Sequence, residues 1–588
     1  MVKYKNKRKL ELAFLVAKPY ALSNNVLDTR IEDLLMSFFC LYNLEIVFEY
    51  RKKLTKKEAK SLDSKFHASN EVETDVKKKV LDILTEGEIK SYWIEGEDAY
   101  NKCLLIKKII RKSLEADTTS IYNYVHTVDK EDFFSSVPIL FDLEKESLIH
   151  RFYTSQIVSG FPFMENKRVR LYGRISSVRD LGGILFFRIN DRKGALQIVI
   201  QKGGDCLKNF RDSFKEGDVA SVSGIVKKSK SGEVSVFAQG INMLSETEVP
   251  FNIDYNHNGK NLPFQRLLFS KNLKRNIYSR SIIINICRSK LIEDGNIEVE
   301  SPILNNFFNG GLSTPFVVKN KNIKEDQYLR VTSELYLKQF VIGGIEGVFE
   351  IDKQFRGGGR ENISSQEYTA LEFYKVYKDY FWMMEYIEEL FRRILIKTKG
   401  DFLLKWFGNE INLMKKWDRV TFYEVFNKHT GIDIYKVSDR ELEKLSKKYM
   451  VDVKDRDSKI VSLFKILVVP MLINPTFVYN YPSGISPLTK TNPENKKEIL
   501  KFGGYISGKK IIDGSMEENE KEELNRKLEI QKEQKKITGK ELFPYDEIFL
   551  KAIKYGMPPV VGTSISMDRM SMLFTESDNI REVNIFAD

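Results

Sequence analysis

Between residues 169 and 200, apolar and polar positions alternate in three short runs, VRLYGRISSV, ILFFRIND and ALQIVI. Each run stops at a turn signal, first Gly182-Gly183 and then Asp191 to Gly194. A period of two is that of a strand with one face buried. Two further runs follow within 215–244, DVASVSGIVKK and EVSVFAQGINML, and break near Ser231-Gly232, where a hairpin turn is expected. Five short strands at this spacing predict a closed β-barrel of the OB type over 165–250. On either side the pattern changes. Over 1–155, strand-like runs at Leu12 to Lys18 and Leu44 to Tyr50 alternate with helical stretches at Ile31 to Phe39 and after the capping Thr55, and Gly87 to Ile94 leads into a further helical stretch, EGEDAYNKCLLIKKIIRK, predicting a small α/β domain. From 260 to 588, a long helix over Asn272 to Glu293 opens a region of strands and helices large enough for a domain of its own.

Composition narrows the classes. Of 588 residues, 42% are hydrophobic and 30% charged, which is globular rather than disordered. The net charge of +12 favours a polyanionic partner such as RNA, although solvated lysine faces give the same sum. Cys40, Cys103, Cys206 and Cys287 stand singly, without metal-binding spacing, and suit buried thiols in a reducing, cytoplasmic compartment. The basic start leads into an apolar stretch too short for a signal peptide, and no uncharged apolar run is long enough to predict a membrane span.

Four segments of the first region, AKPYAL at 17–22, LTKKEAKSL at 54–62, WIEGEDAY at 93–100 and NYVHTVD at 123–129, resemble nucleoside diphosphate kinase. The resemblance implies that Lys18 grips phosphate and that His126, beside Asn123, receives a phosphoryl group. Other parts of that apparatus are missing. The family's arginine after its EGENAV helix falls on Leu104, its T-I-R-G-D-F segment is absent between Leu114 and Asn123, and Gly-Ser after the histidine has become Thr127-Val128. A vestigial site is therefore expected, the fold serving packing, dimerisation or tRNA contact, with His126 an ordinary exposed loop residue.

In the barrel, Phe186, Phe187 and Gln197 offer stacking and base-edge contacts, and Arg174 and Arg179 offer cations. Successive strand residues face opposite ways, so one of Phe186 and Phe187 is expected to touch RNA. The pattern G-R-I-x-x-x-R, F-x-x-x-x-D and G-x-x-Q resembles the anticodon-binding domain of the class II lysyl-, aspartyl- and asparaginyl-tRNA synthetases.

The last region carries GNIEVESPIL at 295–304, GGLSTPF at 310–316, YLRVTSELYLK at 328–338, VFEIDKQFR at 348–356, ALEFY at 370–374, YPSGISPLTK at 481–490 and SISMDRMSMLF at 564–574. Together these resemble class II lysyl-tRNA synthetase over about 165–588. The resemblance implies an antiparallel sheet with flanking helices, a homodimer built through the segment ending at Pro302, and activation of lysine with ATP before its transfer to tRNA. It places Arg356 against the α-phosphate, Arg569 on the γ-phosphate side, and Tyr368 as a stacking partner for adenine. It also places Glu334, Glu372, Tyr374 and Glu517 around the substrate lysine, where a buried cation requires carboxylates. Read without the family, Glu517 in SMEENEKEEL belongs to a solvated acidic helix, and either arginine pairs structurally with an acid.

The chain departs from the family pattern in one cluster. Gly357-Gly358-Gly359 replaces N-E-G after the motif 2 arginine, and Ser564 replaces a glycine of the G-L-G-I-G-I-D-R segment. The two magnesium-binding glutamates of the family fall on Gly503 and Lys510, and an asparagine becomes Asp513. Neither glycine nor lysine ligates magnesium, so any Mg2+ is expected to arrive on the nucleotide, and Lys510 to supply a flexible point charge. Two functions follow as expectations: a lysine–tRNA ligase, or a catalytically silent homologue that binds RNA or a partner. Asp513 and Ser515 are where a different amino acid would have been selected.

Overall fold

The computed structural model describes residues 152–161, 164–202, 205–248, 262–308, 315–319, 325–358, 362–399, 402–538 and 546–587, together with the backbone of four strands nearer the start. The chain divides into two compact units, Met1–Asp254 and Tyr255–Asp588. In the first, β1 (Leu10–Ala17), β2 (Glu45–Lys53), β3 (Glu88–Glu97) and β4 (Val125–Thr127) form an antiparallel sheet in the order β2-β3-β1-β4. β1 and β2 overlap the two expected strand runs. His126 lies in β4 opposite Val16, not in a loop. Lys18, Asn123 and the helices expected before residue 155 lie outside the described residues.

The same unit contains the barrel. Its strands are β5 (Arg168–Asp180), β6 (Ile184–Asp191), β7 (Gly194–Gln201), β8 (Val219–Lys228) and β9 (Val234–Ser245), closed in the order β5-β6-β7-β9-β8. Closure leaves no unpaired edge along its length. The alternation read from the sequence sends Leu171, Leu185, Phe187, Ile189, Ile198 and Val222 inward to one apolar core. Helix α1 (Asp205–Ser213) lies against that core through Phe210, whose ring centroid is 4.8 Å from that of Phe187.

In the second unit, the short strands β11 (Leu304–Asn305), β12 (Val317–Val318) and β13 (Gln327–Leu329) form a small sheet, and β16 (Leu403–Trp406) pairs with β17 (Asn409–Asn412). The main sheet has eight strands: β10 (Ile297–Glu298), β14 (Gly347–Phe355), β15 (Glu367–Val376), β18 (Asp418–Thr421), β19 (Thr476–Pro482), β20 (Glu498–Ile506), β21 (Lys509–Met516) and β22 (Val560–Ser566). Its order is β10-β14-β15-β22-β21-β20-β19-β18; the two edge pairs are parallel and all others antiparallel.

Alternation divides this sheet into two chemically distinct faces. Phe349, Leu371, Phe373, Phe502, Ile512, Val561 and Ile565 join one core with residues of α2 (Lys271–Glu293), α4 (Tyr380–Thr398) and α6 (Met567–Thr575). Between β13 and β14 lies α3 (Glu334–Ile342), and α5 (Lys521–Thr538) follows β21. An ion pair locks the helical layer to the sheet: Arg280 of α2 sits 2.7 Å from Asp568 of α6, and Asp568 accepts the backbone N–H of Thr369 on β15. Both charged side chains are largely buried, and removing one partner strands the other. Asp568→Ala should therefore lower the unfolding free energy by about 3–5 kcal/mol. Urea titration provides the check, and the Arg280→Met, Asp568→Leu double variant should recover part of the loss.

Candidate active site and candidate RNA face

The opposite face of the main sheet is polar. Directly paired residues of an antiparallel sheet share a face, so the register assembles the site. Glu350 of β14 faces Glu372 of β15, Glu372 faces Ser564 of β22, Ser564 faces Asp513 of β21, and Asp513 faces Gly503 of β20. One step along, Val348, Tyr374, Gly562 and Ser515 form the next row. The sequence-predicted substrate residues are thereby brought together. Glu372 and Tyr374 point from the middle of the sheet, Glu334 begins α3, and Glu517 follows the end of β21 in an isolated bridge with Thr489. Glu517 is 3% exposed, which overturns its assignment to a solvated acidic helix.

Lys338 binds this group. It is 1% exposed and places its ammonium 2.6 Å from Glu334 and 2.5 Å from Glu517, while Ser515 donates to Glu517 at 3.0 Å. Burial depresses the Lys338 ammonium, but the two adjoining carboxylates more than reverse this and leave it above the ordinary lysine range. Arg330 anchors a second pair: it lies 2.7 Å from Glu350 and 3.6 Å from Asp352, and Glu350 also accepts from the Ser301 hydroxyl. Glu372 accepts from Gln354 at 2.7 Å and from Thr332 at 3.2 Å.

Five carboxyl groups, Glu334, Glu350, Asp352, Glu372 and Glu517, thus face two cations, Lys338 and Arg330. Burial, with Asp352 beside it, pushes Glu372 above the ordinary carboxylate range; burial raises Asp352 and Glu517 as well. The Tyr374 phenol, buried among Glu334, Glu372, Glu517 and Asp352, is held neutral far above its usual range. Gly562 makes the floor: a β-carbon there would meet the Tyr374 ring and would stand 2.7 Å from Glu517 Oε1.

The proposed nucleotide residues emerge at one end of the sheet. Arg356 follows the last pair of β14, Phe355 with Glu367, and Arg569 lies in the first turn of α6 just beyond Ser566, which pairs with Ala370. The exposed Arg356 guanidinium lies 5.3 Å from the centre of the Tyr368 ring, and the Tyr368 hydroxyl donates to Gln354 at 2.9 Å. Arg569 donates to the carbonyl of Lys510 at 2.6 Å and to that of Ile363 at 3.3 Å.

The hairpin of β20 and β21 turns at Ser507-Gly508, both with positive φ, and its register shifts once, between Gly504 and Tyr505. Gly503 lies opposite Asp513 and Lys510 opposite Tyr505. Lys510 is not a loose point charge, because its ammonium lies 2.8 Å from Asp513 Oδ1, as does that of Lys501. Burial and the neighbouring Lys501 hold Lys510 below the ordinary lysine range. Burial raises Asp513, but the two ammoniums outweigh it and keep this carboxyl ionised.

On the barrel, the structure decides between the paired aromatics. Phe187 is 1% exposed in the core and is thereby removed as an RNA-contacting candidate; Phe186 faces outward, half-buried. Arg179 pairs with Phe186, and Phe186 with Val199, which lies beside Phe237; in the neighbouring row Ser177, Arg188, Gln197 and Ser235 are successive partners. Gln197 accepts from Ser235 at 2.8 Å, Arg188 pairs with Glu233, and Arg174 donates to the Gly217 carbonyl.

Comparison with known proteins agrees with this architecture. A model of class II tRNA synthetases (D, K and N) matches residues 263–588, and one of the OB-fold nucleic acid binding domain matches 169–244. The lysine–tRNA ligase of Porphyromonas gingivalis is 32% identical over 463 residues, covering 74% of this chain and 80% of that protein. Those of Thermoanaerobacter pseudethanolicus and Clostridium novyi are 33% and 32% identical, covering 74% and 76% of this chain and 89% and 90% of their own lengths. The chain belongs to the class II lysyl-tRNA synthetase family.

Within this chain, sequence reasoning passed over Lys338, Arg330, Lys501 and the barrel's Arg188. Lys338 and Arg330 stand inside the quoted YLRVTSELYLK motif, and their partners are 179 and 20 residues away, so folding was needed to expose the pairing. Three outcomes are expected. Glu372 has a raised pKa in the folded state, so its stabilising contribution is complete at acid pH and is lost as pH rises from the ordinary glutamate range through about 8. Glu372→Gln should flatten the fall in urea midpoint between those limits. In the barrel, Phe187→Ala should cost about 3–5 kcal/mol of stability. Phe186→Ala should leave the fold intact and weaken binding of anticodon-loop RNA by about 1–3 kcal/mol in a filter-binding titration.

Proposed function

We propose that this synthetase activates lysine with ATP to form lysyl-adenylate and pyrophosphate, then transfers the lysyl group to the 3′ end of tRNA. The observation that carries the reading is the excess of buried carboxyl groups over cations on the polar face. Lys338 and Arg330 leave Glu334, Glu350, Asp352, Glu372 and Glu517 under-compensated, so a ligand bringing two ammonium groups relieves the imbalance. Lysine is such a ligand. Glu517, beside Tyr374 and Gly562, suits the ε-ammonium, and Glu334 with Glu372 suits the α-ammonium. Arg356 and Arg569 supply positive charge where the α- and γ-phosphates would lie, Tyr368 offers a face to adenine, and any Mg2+ comes with the nucleotide. The barrel face around Arg179, Phe186 and Gln197 would read unpaired tRNA bases. Pairing of two copies through the segment before Pro302 belongs to the same proposal, as does a structural, non-catalytic role for the kinase-like segment at 1–155.

A second reading, RNA binding without adenylation, is favoured by one observation: Gly503 and Lys510 present no carboxylate where the family's pattern has two. Amino-acid-dependent ATP–pyrophosphate exchange separates the readings. Lysine should support exchange above all other amino acids, and Glu517→Gln should raise its KM about tenfold or more. Absence of exchange with every amino acid, alongside retained tRNA binding, would establish the silent homologue.

A further inference from the structure

We propose that the β20–β21 hairpin carries a built-in cationic phosphate subsite, through which this chain takes the polyphosphate of ATP without a protein-ligated divalent ion. The inference rests on the adenylation reading for the nucleotide itself. Three observations carry it.

The first is space. A β-carbon at position 503 would stand 2.7 Å from the Tyr481 hydroxyl and 3.1 Å from that of Tyr505. Those two hydroxyls hydrogen-bond at 2.8 Å, and both rings are buried against Phe464. The tyrosine pair fills the volume that an acidic side chain at 503 would enter, so a metal ligand has no room there. Among the described residues, no group of three or more His, Cys, Asp or Glu side chains is arranged to hold a metal ion.

The second is charge. Two glutamates and an asparagine carry two negative charges, which a divalent cation cancels. Gly503, Lys510 and Asp513 sum to zero without one. The chain has by covalent means the net charge that the family pattern reaches once metal is bound. Lys501 then adds a further positive charge. A phosphate oxygen approaching this hairpin meets two ammoniums held by one carboxylate oxygen, each at 2.8 Å. Fixed in this way, they act as preorganised charge rather than as mobile side chains that must be ordered on binding.

The third is direction. Asp513 shares the polar face with Ser564 and Glu372, and the Arg569 guanidinium is bonded to the Lys510 carbonyl at 2.6 Å. The lysines, the arginine and the amino-acid pocket therefore belong to one continuous surface within the second unit.

Calorimetric titration of the full chain with ATP, once in Mg2+ and once in EDTA, tests the proposal. Wild-type affinity should differ less than about threefold between the two buffers, because fixed lysines replace the metal's charge. Lys510→Glu should weaken binding about tenfold or more in EDTA, with Mg2+ restoring part of it, since two carboxylates then adjoin one ammonium. Lys510→Gln should weaken binding in both buffers without gaining metal dependence, and its thermal unfolding controls for misfolding. Wild-type binding that requires Mg2+, or a stoichiometric Mn2+ site found by electron paramagnetic resonance in the nucleotide-free chain, would overturn the subsite while sparing the nucleotide reading. Absence of ATP binding in either buffer would overturn both.

Discussion

Strand β15 pairs with β14 on one side and β22 on the other, and this double pairing holds the site together. Each antiparallel ladder fixes which residues stand abreast, and a slip of one residue would turn Glu372 and Tyr374 into the helical layer while bringing Leu371 and Phe373 to the open face. The apolar cost of such a slip is large, because Phe349, Phe373 and Ile565 share one core with three helices. Packing on one face therefore enforces the chemistry on the other. The buried charges depend on that enforcement: Lys338 neutralises Glu334 and Glu517 because α3 and the end of β21 are held against a sheet that cannot shift.

Local pattern carried the fold well where period and turn chemistry agreed. The barrel strands ended at the glycine and aspartate signals, and the long helix began within one residue of its expected start. The site was less legible. Glu334, Glu372, Tyr374 and Glu517 were found through the family motif rather than through periodicity. Nothing local told that Glu517 would be buried, since its neighbours in sequence are acidic and the burial comes from β22 and α3. Phe186 and Phe187 could be separated in principle but not assigned, because a strand's inward parity depends on register, and β5 contains a bulge between Ile175 and Ser177 that resets it. Lys501 gave no signal of its own; its meaning arises from standing near Asp513 across a hairpin.

The two halves of the polar face differ in how they meet ligand charge. Around Tyr374 the excess is negative and buried, an arrangement that destabilises the empty protein and favours a cationic occupant. Around Asp513 the excess is positive, half-exposed and tied down. An amino acid entering one half and a polyphosphate entering the other would each meet opposite charge, and only β22 lies between the two strands that carry these regions. Charge separation across one surface orients a bipolar pair of substrates before any close contact forms.

Gly562 bears on how the buried groups around it are spaced. The position lacks a side chain because Tyr374 and Glu517 already occupy the space around it. A single methyl group would force apart the ring and the carboxylate with no loss of an acidic residue. Its effect would spread through the Tyr374 ring into the apolar cluster that this ring shares with Leu335 and Val348, so a position without a side chain fixes the distance between two others.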